Sequence, residues 1–220
     1  MKITIPNTVQ LAIALCGAFA GLFALVMFNQ HLLMAFPKPA RMLLMILTQW
    51  LPFLIPGLLM LLQKERIRDF GFTTKNIPRQ IAIGILLELV MTAILTVLPI
   101  LMGLKDMVGS TSYTHVWQFV YQYVYTLLGV AFAEELLFRG YLFHKLLEIK
   151  ESRWFAIIVS SILFGLFHIF SGNPIQIIMT ALMGFIYCML REKIKGCTLL
   201  SLIVIHGLHD ATIVLCVALL

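Results

Sequence analysis

The sequence predicts an all-α fold, a polytopic membrane bundle of about seven transmembrane helices. Of its 220 residues, 61% are hydrophobic and 12% are charged. A soluble domain carries roughly 45–50% apolar and about 25% charged residues, so this chain has too few charges to cover a soluble surface. Its apolar residues also form long runs, and a helix needs about 20 of them to cross a bilayer. The composition therefore excludes soluble, disordered, collagen-like and disulfide-scaffold chains.

Seven apolar runs are long enough to span the membrane. The first is too long for the core of a signal peptide, and we interpret it as a retained helix. The predicted spans are residues 9–28, 42–62, 81–102, 117–143, 154–170, 174–190 and 197–219. We divide the chain into an N-terminal unit, residues 1–114 with the first three spans, and a second unit, residues 115–220 with the other four.

Basic residues are concentrated on one side of these spans. The N-terminus, with Lys2, and loops 2–3, 4–5 and 6–7 carry most of them, whereas the other side carries only Lys38, Arg41 and Lys105. The positive-inside rule then predicts a cytoplasmic N-terminus and an external C-terminus. We interpret the net charge of +6 as contact between cytoplasmic loops and anionic lipids. No basic-aromatic groove indicates a nucleic-acid partner.

Several ionisable residues lie inside the predicted spans, where a charge costs several kcal/mol unless it faces a protein interior. Glu135 and Arg139 are four residues apart and can pair on one helix face, which leaves the adjacent Glu134 without a partner on its own helix. By residue count from the cytoplasmic flanks, the polar groups of different spans reach one layer near mid-membrane. The full set is Glu88, Glu134, Glu135, Arg139, His168, His206, His209 and Asp210.

Two kinds of chemistry suit such a layer. A carboxylate beside a neutral imidazole can deprotonate a water molecule, and a second imidazole can donate to the oxyanion formed at an amide carbonyl. Alternatively, a divalent metal such as Zn²⁺ could carry the attacking water, with Glu134, His168, His206 and Asp210 as ligands. The HExxH motif is absent, as is the GxSxG motif of serine chemistry. The residues alone leave the choice between water activation and a metal open.

Three motifs occur in order on successive polar spans. Residues 134–139 read EELLFR, residues 164–168 read FGLFH and residues 206–210 read HGLHD, which fit the patterns EExxxR, FxxxH and HxxxN/D. With them, the chain resembles the CAAX-processing and bacteriocin-processing intramembrane protease family, also called type II CAAX prenyl proteases or Abi proteins. The resemblance covers about residues 115–215. Residues 70–72, FGF, are similar to a further segment that these proteins often carry.

The resemblance implies roles for the motif residues. Glu134 would activate the water with His168, while His206 and Asp210 would stabilise the oxyanion. The third motif often ends in Asn, however, and an ionised Asp210 cannot donate a hydrogen bond. It must therefore be protonated, orient His206 or bind a metal. The supporting residues would be Glu135, Arg139 and Phe164, the last as a wall of the pocket.

The first functional hypothesis is an intramembrane endopeptidase in a bacterial plasma membrane. Its substrate would be a membrane-embedded or lipid-anchored protein or peptide, processed as in CAAX maturation or as in leader-peptide and bacteriocin processing. A second hypothesis is a non-catalytic immunity or interaction protein with the same fold. A third is an ion or proton pathway through Glu88, Glu134 and Asp210. We expect Glu88 to serve helix packing with an internal partner, and we interpret His209, which lies off the stripe of His206 and Asp210, as structural or peripheral.

Overall fold

The computed structural model describes residues 5–220, and within that range it contains helices and no strands. The predicted all-α polytopic bundle is confirmed, whereas Lys2 lies outside the described residues. The helices are α1 (Asn7–His31), α2 (Lys38–Thr48), α3 (Leu54–Gln63), α4 (Ile77–Thr92), α5 (Leu98–Leu101), α6 (Lys105–Val108), α7 (Val116–Tyr125), α8 (Phe132–Glu135), α9 (Phe143–Ile149), α10 (Arg153–Leu166), α11 (Pro174–Lys193) and α12 (Leu199–Leu219).

Six helical segments of the described chain are long and apolar enough to cross a membrane. They are Asn7–His31, Lys38–Gln63, Ile77–Leu101, Arg153–Ser171, Pro174–Lys193 and Leu199–Leu219, and each coincides within a few residues with a predicted span. The remaining predicted span, 117–143, lies in the helical run of α7, α8 and α9. Its polar and charged side chains make this run less apolar than the other six. The count of seven spans and the cytoplasmic N-terminus stay predictions.

The second span is broken where it approaches α1. After α2, the short 3₁₀ turn Leu51–Phe53 precedes α3, because Pro52 lacks an N–H and its ring clashes with the preceding helical turn. Gly21 of α1 packs against this break. A Cβ at Gly21 would lie 2.4 Å from the Leu51 carbonyl oxygen, so glycine is required for this approach. The break brings one end of α2 against the helices that carry the motifs.

α12 contacts both α4 and the π-helical segment Thr126–Ala131 between α7 and α8. At Gly207 the two backbones come so close that a Cβ would lie 2.8 Å from the Leu127 Cα. The Thr126 hydroxyl donates to the Gly207 carbonyl oxygen over 2.7 Å. This contact fixes the start of the HGLHD motif beside the helical run that carries Glu134.

A loop between α3 and α4 is attached to the motif run from the side that the charge pattern predicts to be cytoplasmic. Phe70 is buried against Tyr141, and the Arg191 guanidinium donates to the carbonyl oxygens of Phe70 and Arg139. Residues of both predicted units, among them Phe70 and Phe138, share one hydrophobic core cluster. The division at residues 114 and 115 stays a prediction.

Candidate active site

Glu134 and Glu135 lie in a four-residue α-helix between two π-helical segments. α8 is preceded by the segment Thr126–Ala131 and followed by Leu136–Leu142. Single π-helical turns inside α-helices frequently mark functional sites, because the extra residue per turn changes the direction in which side chains project. The EELLFR motif therefore lies in a locally irregular helix.

A buried ion pair anchors this motif. Glu135 and Arg139 are 0% and 1% exposed, and Arg139 Nη1 donates to Glu135 Oε1 over 2.9 Å, as the spacing predicts. The Arg139 guanidinium also lies over two aromatic rings, with its Cζ 4.0 Å from the Phe164 ring centre and 5.2 Å from that of Tyr187. Cation–π contacts stabilise a desolvated cation, so Phe164 contacts Arg139 as well as packing in the core.

His206 connects the carboxylates of two helices. Its Nδ1 lies 2.9 Å from Glu135 Oε1, a normal hydrogen-bond length. Its Nε2 lies 3.3 Å from Asp210 Oδ2 and 3.8 Å from Glu134 Oε2, both longer than a typical N–H···O hydrogen bond. Nε2 of His206 thus has two carboxylates nearby and a short contact to neither.

Glu134 and His168 lie on one cavity of about 100 Å³. Oε2 of Glu134 is buried and has no hydrogen-bond partner in the described chain. His168 Nδ1 lies 3.0 Å from the Phe164 carbonyl oxygen; because that oxygen can only accept, Nδ1 carries the hydrogen and Nε2 of a neutral ring is an acceptor. The cavity is lined by Leu22, Leu25, Gln49, Pro52, Phe53, Ala133, Glu134, Leu137, Phe167 and His168.

The sequence-predicted residues are therefore brought together in two connected parts. Glu134 and His168 line the cavity, whereas His206 and Asp210 do not. His206 is adjacent to Glu134, and Asp210 is joined to this group through His206. Glu88 and His209 lie outside it: both contact Thr92 of α4. Glu88 thus has the internal partner that the sequence analysis expected.

Sequence reasoning missed part of the cavity wall. Gln49 lines the cavity and its Nε2 donates to the Tyr125 hydroxyl over 2.6 Å; the available signal was an amide within an apolar run. Tyr187 packs against His206, with ring centres 5.5 Å apart, and no signal separated it from ordinary core aromatics. Leu22 and Leu25 of α1 could not be assigned to a site from their spacing.

The proposed metal ligands can be tested against their arrangement. Among the residues that the structure describes, no group of three or more His, Cys, Asp or Glu side chains is arranged to hold a metal ion. His206 faces carboxylates at both ring nitrogens, and Nδ1 of His168 is engaged by a backbone carbonyl. Donation of Nδ1–H to a carbonyl is also the usual second contact of a metal-bound histidine, and it leaves Nε2 of His168 free. A divalent metal held by Glu134, His168, His206 and Asp210 stays a prediction.

The fold and the site define a class of protein: a helical, multi-pass membrane protein with a buried carboxylate and imidazoles beside a cavity. Residues 116–212 match the family model described as Rce1-like, type II CAAX prenyl endopeptidase Rce1-like. All three motifs lie within this match, and the predicted family resemblance is confirmed. The match supports a CAAX-type intramembrane protease function in general, acting on a membrane-associated protein. Comparisons with curated proteins and with solved structures find no match.

Proposed function

We propose that the chain is an endopeptidase that hydrolyses a peptide bond of a membrane-associated protein or peptide with a water molecule activated by Glu134. One observation carries this proposal. Glu134 has a buried carboxylate oxygen without a hydrogen-bond partner, and it lines a cavity together with His168. The carboxylate of Glu134 and Nε2 of His168 can each accept one of the two hydrogens of a water molecule in this cavity. The cavity is large enough for such a water molecule.

Glu134 acts as the general base and then as the general acid. The water oxygen attacks the carbonyl carbon, and Glu134 takes one of its protons while the carbonyl electron pair moves onto oxygen. When the tetrahedral intermediate collapses, the C–N bond breaks and the amine leaves with the proton from Glu134. His168 Nε2, as an acceptor, orients the water. Proton transfer by a positioned group of this kind contributes typically about 10²–10⁴-fold to a rate.

His206 stabilises the oxyanion through Nε2–H as an imidazolium, because its Nδ1–H is donated to the Glu135 carboxylate. This group has only long contacts, 3.3 Å to Asp210 and 3.8 Å to Glu134, so it can donate to a new acceptor without first breaking a short bond. The Nδ1 hydrogen bond to Glu135 is kept and fixes the orientation of the ring. Donors that are already oriented stabilise developing charge at little reorganisation cost.

Asp210 orients His206 in this proposal. As a carboxylate it has no hydrogen for the oxyanion, but its Oδ2 lies next to Nε2 of the ring one helical turn earlier. Orienting His206 is one of the three roles that the sequence left open for Asp210. Glu135 and Arg139 are supporting residues, because they hold the ring from the other side through a buried ion pair.

The experiment that tests this function uses the full chain purified in detergent and an internally quenched farnesylated CAAX peptide as probe. Cleavage is expected with the native protein and is expected to continue in the presence of EDTA or 1,10-phenanthroline. In parallel, new protein termini are compared by mass spectrometry between cells that express the native chain and cells that express Glu134→Gln.

The outcomes separate the hypotheses. Loss of cleavage with chelator and its return with Zn²⁺ would favour a metal-bound water over a free one. No cleavage of the probe and no terminus that depends on Glu134 would reject the protease and favour the non-catalytic immunity or interaction protein. Termini that depend on Glu134, without cleavage of the farnesylated peptide, would point to leader- or bacteriocin-type processing in a bacterial plasma membrane.

We further propose that anionic lipid headgroups bind the basic loops at a pocket between the starts of α4 and α12. The pocket has a volume of about 310 Å³. Three cations line it beside Asn76 and Thr198: Lys75, Arg79 and Lys195. The ion pairs of the described residues include none of these three cations. Basic pockets between transmembrane helices on the cytoplasmic side bind phosphate-bearing headgroups, and this side is the predicted cytoplasmic one.

Phosphatidylglycerol is expected to raise the melting temperature of the protein in nanodiscs relative to phosphatidylcholine alone. Replacing the three pocket cations by Gln should abolish this rise. The control replaces three exposed cations of the same predicted side, Arg68, Lys150 and Lys193, and so changes the net charge equally. An equal loss in both variants would show that the lipid contact is general and not confined to the pocket.

A further inference from the structure

Two helices share a buried hydrogen-bonded cluster that the proposed reaction does not use. α4 and α12 pack side by side. Between them, Thr92 Oγ1 donates to Glu88 Oε1 over 2.6 Å and lies 3.2 Å from His209 Nδ1. All three side chains are buried. Polar and ionisable groups inside a membrane span are costly, so such a cluster calls for a function.

The direction of these hydrogen bonds follows from the inventory of donors. Thr92 has one hydroxyl hydrogen, and it donates this hydrogen to the Glu88 carboxylate in a hydrogen bond. The hydroxyl oxygen therefore accepts from His209, whose Nδ1 carries the hydrogen. Successive hydrogen bonds polarise one another in a low-dielectric interior, so the hydroxyl links a carboxylate on α4 to an imidazole on α12. The His209 ring is thereby fixed relative to α4.

His209 is coupled to the candidate site because it lies on the same helix as His206 and one residue before Asp210. A helix rotates as a unit: a rotation of about 10° moves a side-chain atom about 6 Å from the axis by about 1 Å. His206 lies on α12 and Glu134 on α8, so such a rotation changes the distance of 3.8 Å between His206 Nε2 and Glu134 Oε2. A misplacement of about 1 Å can cost about 10²-fold in rate.

We propose that Glu88, Thr92 and His209 are positioning residues that fix the rotation of α12 and so hold His206 at its distance from Glu134. The inference rests on the proposed function, because it assigns the cluster to the same reaction. None of the cavity-lining residues comes from α4 or α12. The cluster should therefore affect the chemical step rather than the binding of a substrate in the cavity.

The test compares two threonines of the α4 span. Thr92→Val removes the linking hydroxyl with almost no change of shape, and it is expected to lower kcat at least about tenfold while KM stays within about twofold. Thr92→Ser restores the hydroxyl and should recover kcat. Thr96→Val is the matched control: Thr96 is one turn further along, 0% exposed, and its Oγ1 has no hydrogen-bond partner in the described chain. Its kcat should be that of the native protein.

The assay uses the native chain and variants in detergent, with the quenched farnesylated CAAX peptide as probe and thermal melting as the check of folding. Equal effects of Thr92→Val and Thr96→Val, or no recovery with Thr92→Ser, would overturn the positioning role. If Thr92→Val does not fold, His209→Asn and His209→Leu replace it. Asn keeps an N–H near the position of Nδ1 and should retain kcat, whereas Leu should lose it; equal activities would overturn the inference.

Glu134→Gln in the same assay separates this inference from the function on which it rests. An active Glu134→Gln variant would reject the proposed water activation. An inactive Glu134→Gln variant together with a Thr92→Val variant of native kcat would reject only the positioning role.

Discussion

Glu134→Gln is expected to lower kcat by about 10³-fold while the protein still inserts and melts like the native chain. Gln has nearly the same shape as Glu but cannot take a proton from water, and a lost general base costs about 10²–10⁴-fold. Glu134 is also outside the Glu135–Arg139 pair, so its charge is not needed for the anchoring of the motif. Single-turnover cleavage of the quenched farnesylated peptide, with protein level and melting temperature measured on the same sample, provides the readout.

The matched control is Glu151→Gln, which removes an exposed carboxylate on the loop that follows α9. It should leave kcat unchanged. A Glu134→Gln variant with native kcat would assign the water activation elsewhere. A variant that is inactive because it is unfolded would be recognised by its melting temperature, and that result would mean that Glu134 has a structural role.

Arg139→Met is expected to destabilise the protein by about 3–5 kcal/mol. It removes the guanidinium from the carboxylate of Glu135, which is 0% exposed and keeps only its contact with His206, and removing one member of a buried ion pair costs that amount. Met keeps much of the apolar contact with Phe164. The double variant Glu135→Gln with Arg139→Met removes the charge as well and should be more stable than Arg139→Met alone. Thermal or denaturant unfolding in detergent measures both differences.

The comparison variant is Arg153→Met. Arg153 also pairs with a carboxylate, that of Glu192, but its side chain is 71% exposed. Exposed ion pairs contribute about 0–1 kcal/mol, so this variant should melt close to the native protein. Equal losses for Arg139→Met and Arg153→Met would contradict the anchoring role of the buried pair, as would a double variant no more stable than Arg139→Met.

The sequence predicted the fold and the composition of the site from different signals. Length and hydropathy fix the helical spans, because every backbone hydrogen bond must be satisfied within the bilayer. Spacing of four residues predicted the Glu135–Arg139 contact and placed His206 and Asp210 on one face, and both contacts occur in the structure. These are local relations along a single helix, which periodicity can describe.

What the sequence did not predict depends on contacts between distant helices. Gln49 approaches the cavity because Pro52 ends the regular helix and Gly21 lets α1 pack against the break. None of these three residues was among the predicted site residues. The π-helical segments that flank α8 have no recognisable pattern in the sequence. Periodicity of 3.6 residues could therefore not predict how Glu134 is turned relative to Glu135.

The break in the second span has a consequence for how such chains diverge. Leu22, Leu25, Gln49, Pro52 and Phe53 shape one half of the cavity, and all five precede the segment that matches the family. Mutations of these five residues change the shape of the cavity and alter no residue of the three motifs. Two chains with identical motifs can therefore have cavities that accept different ligands.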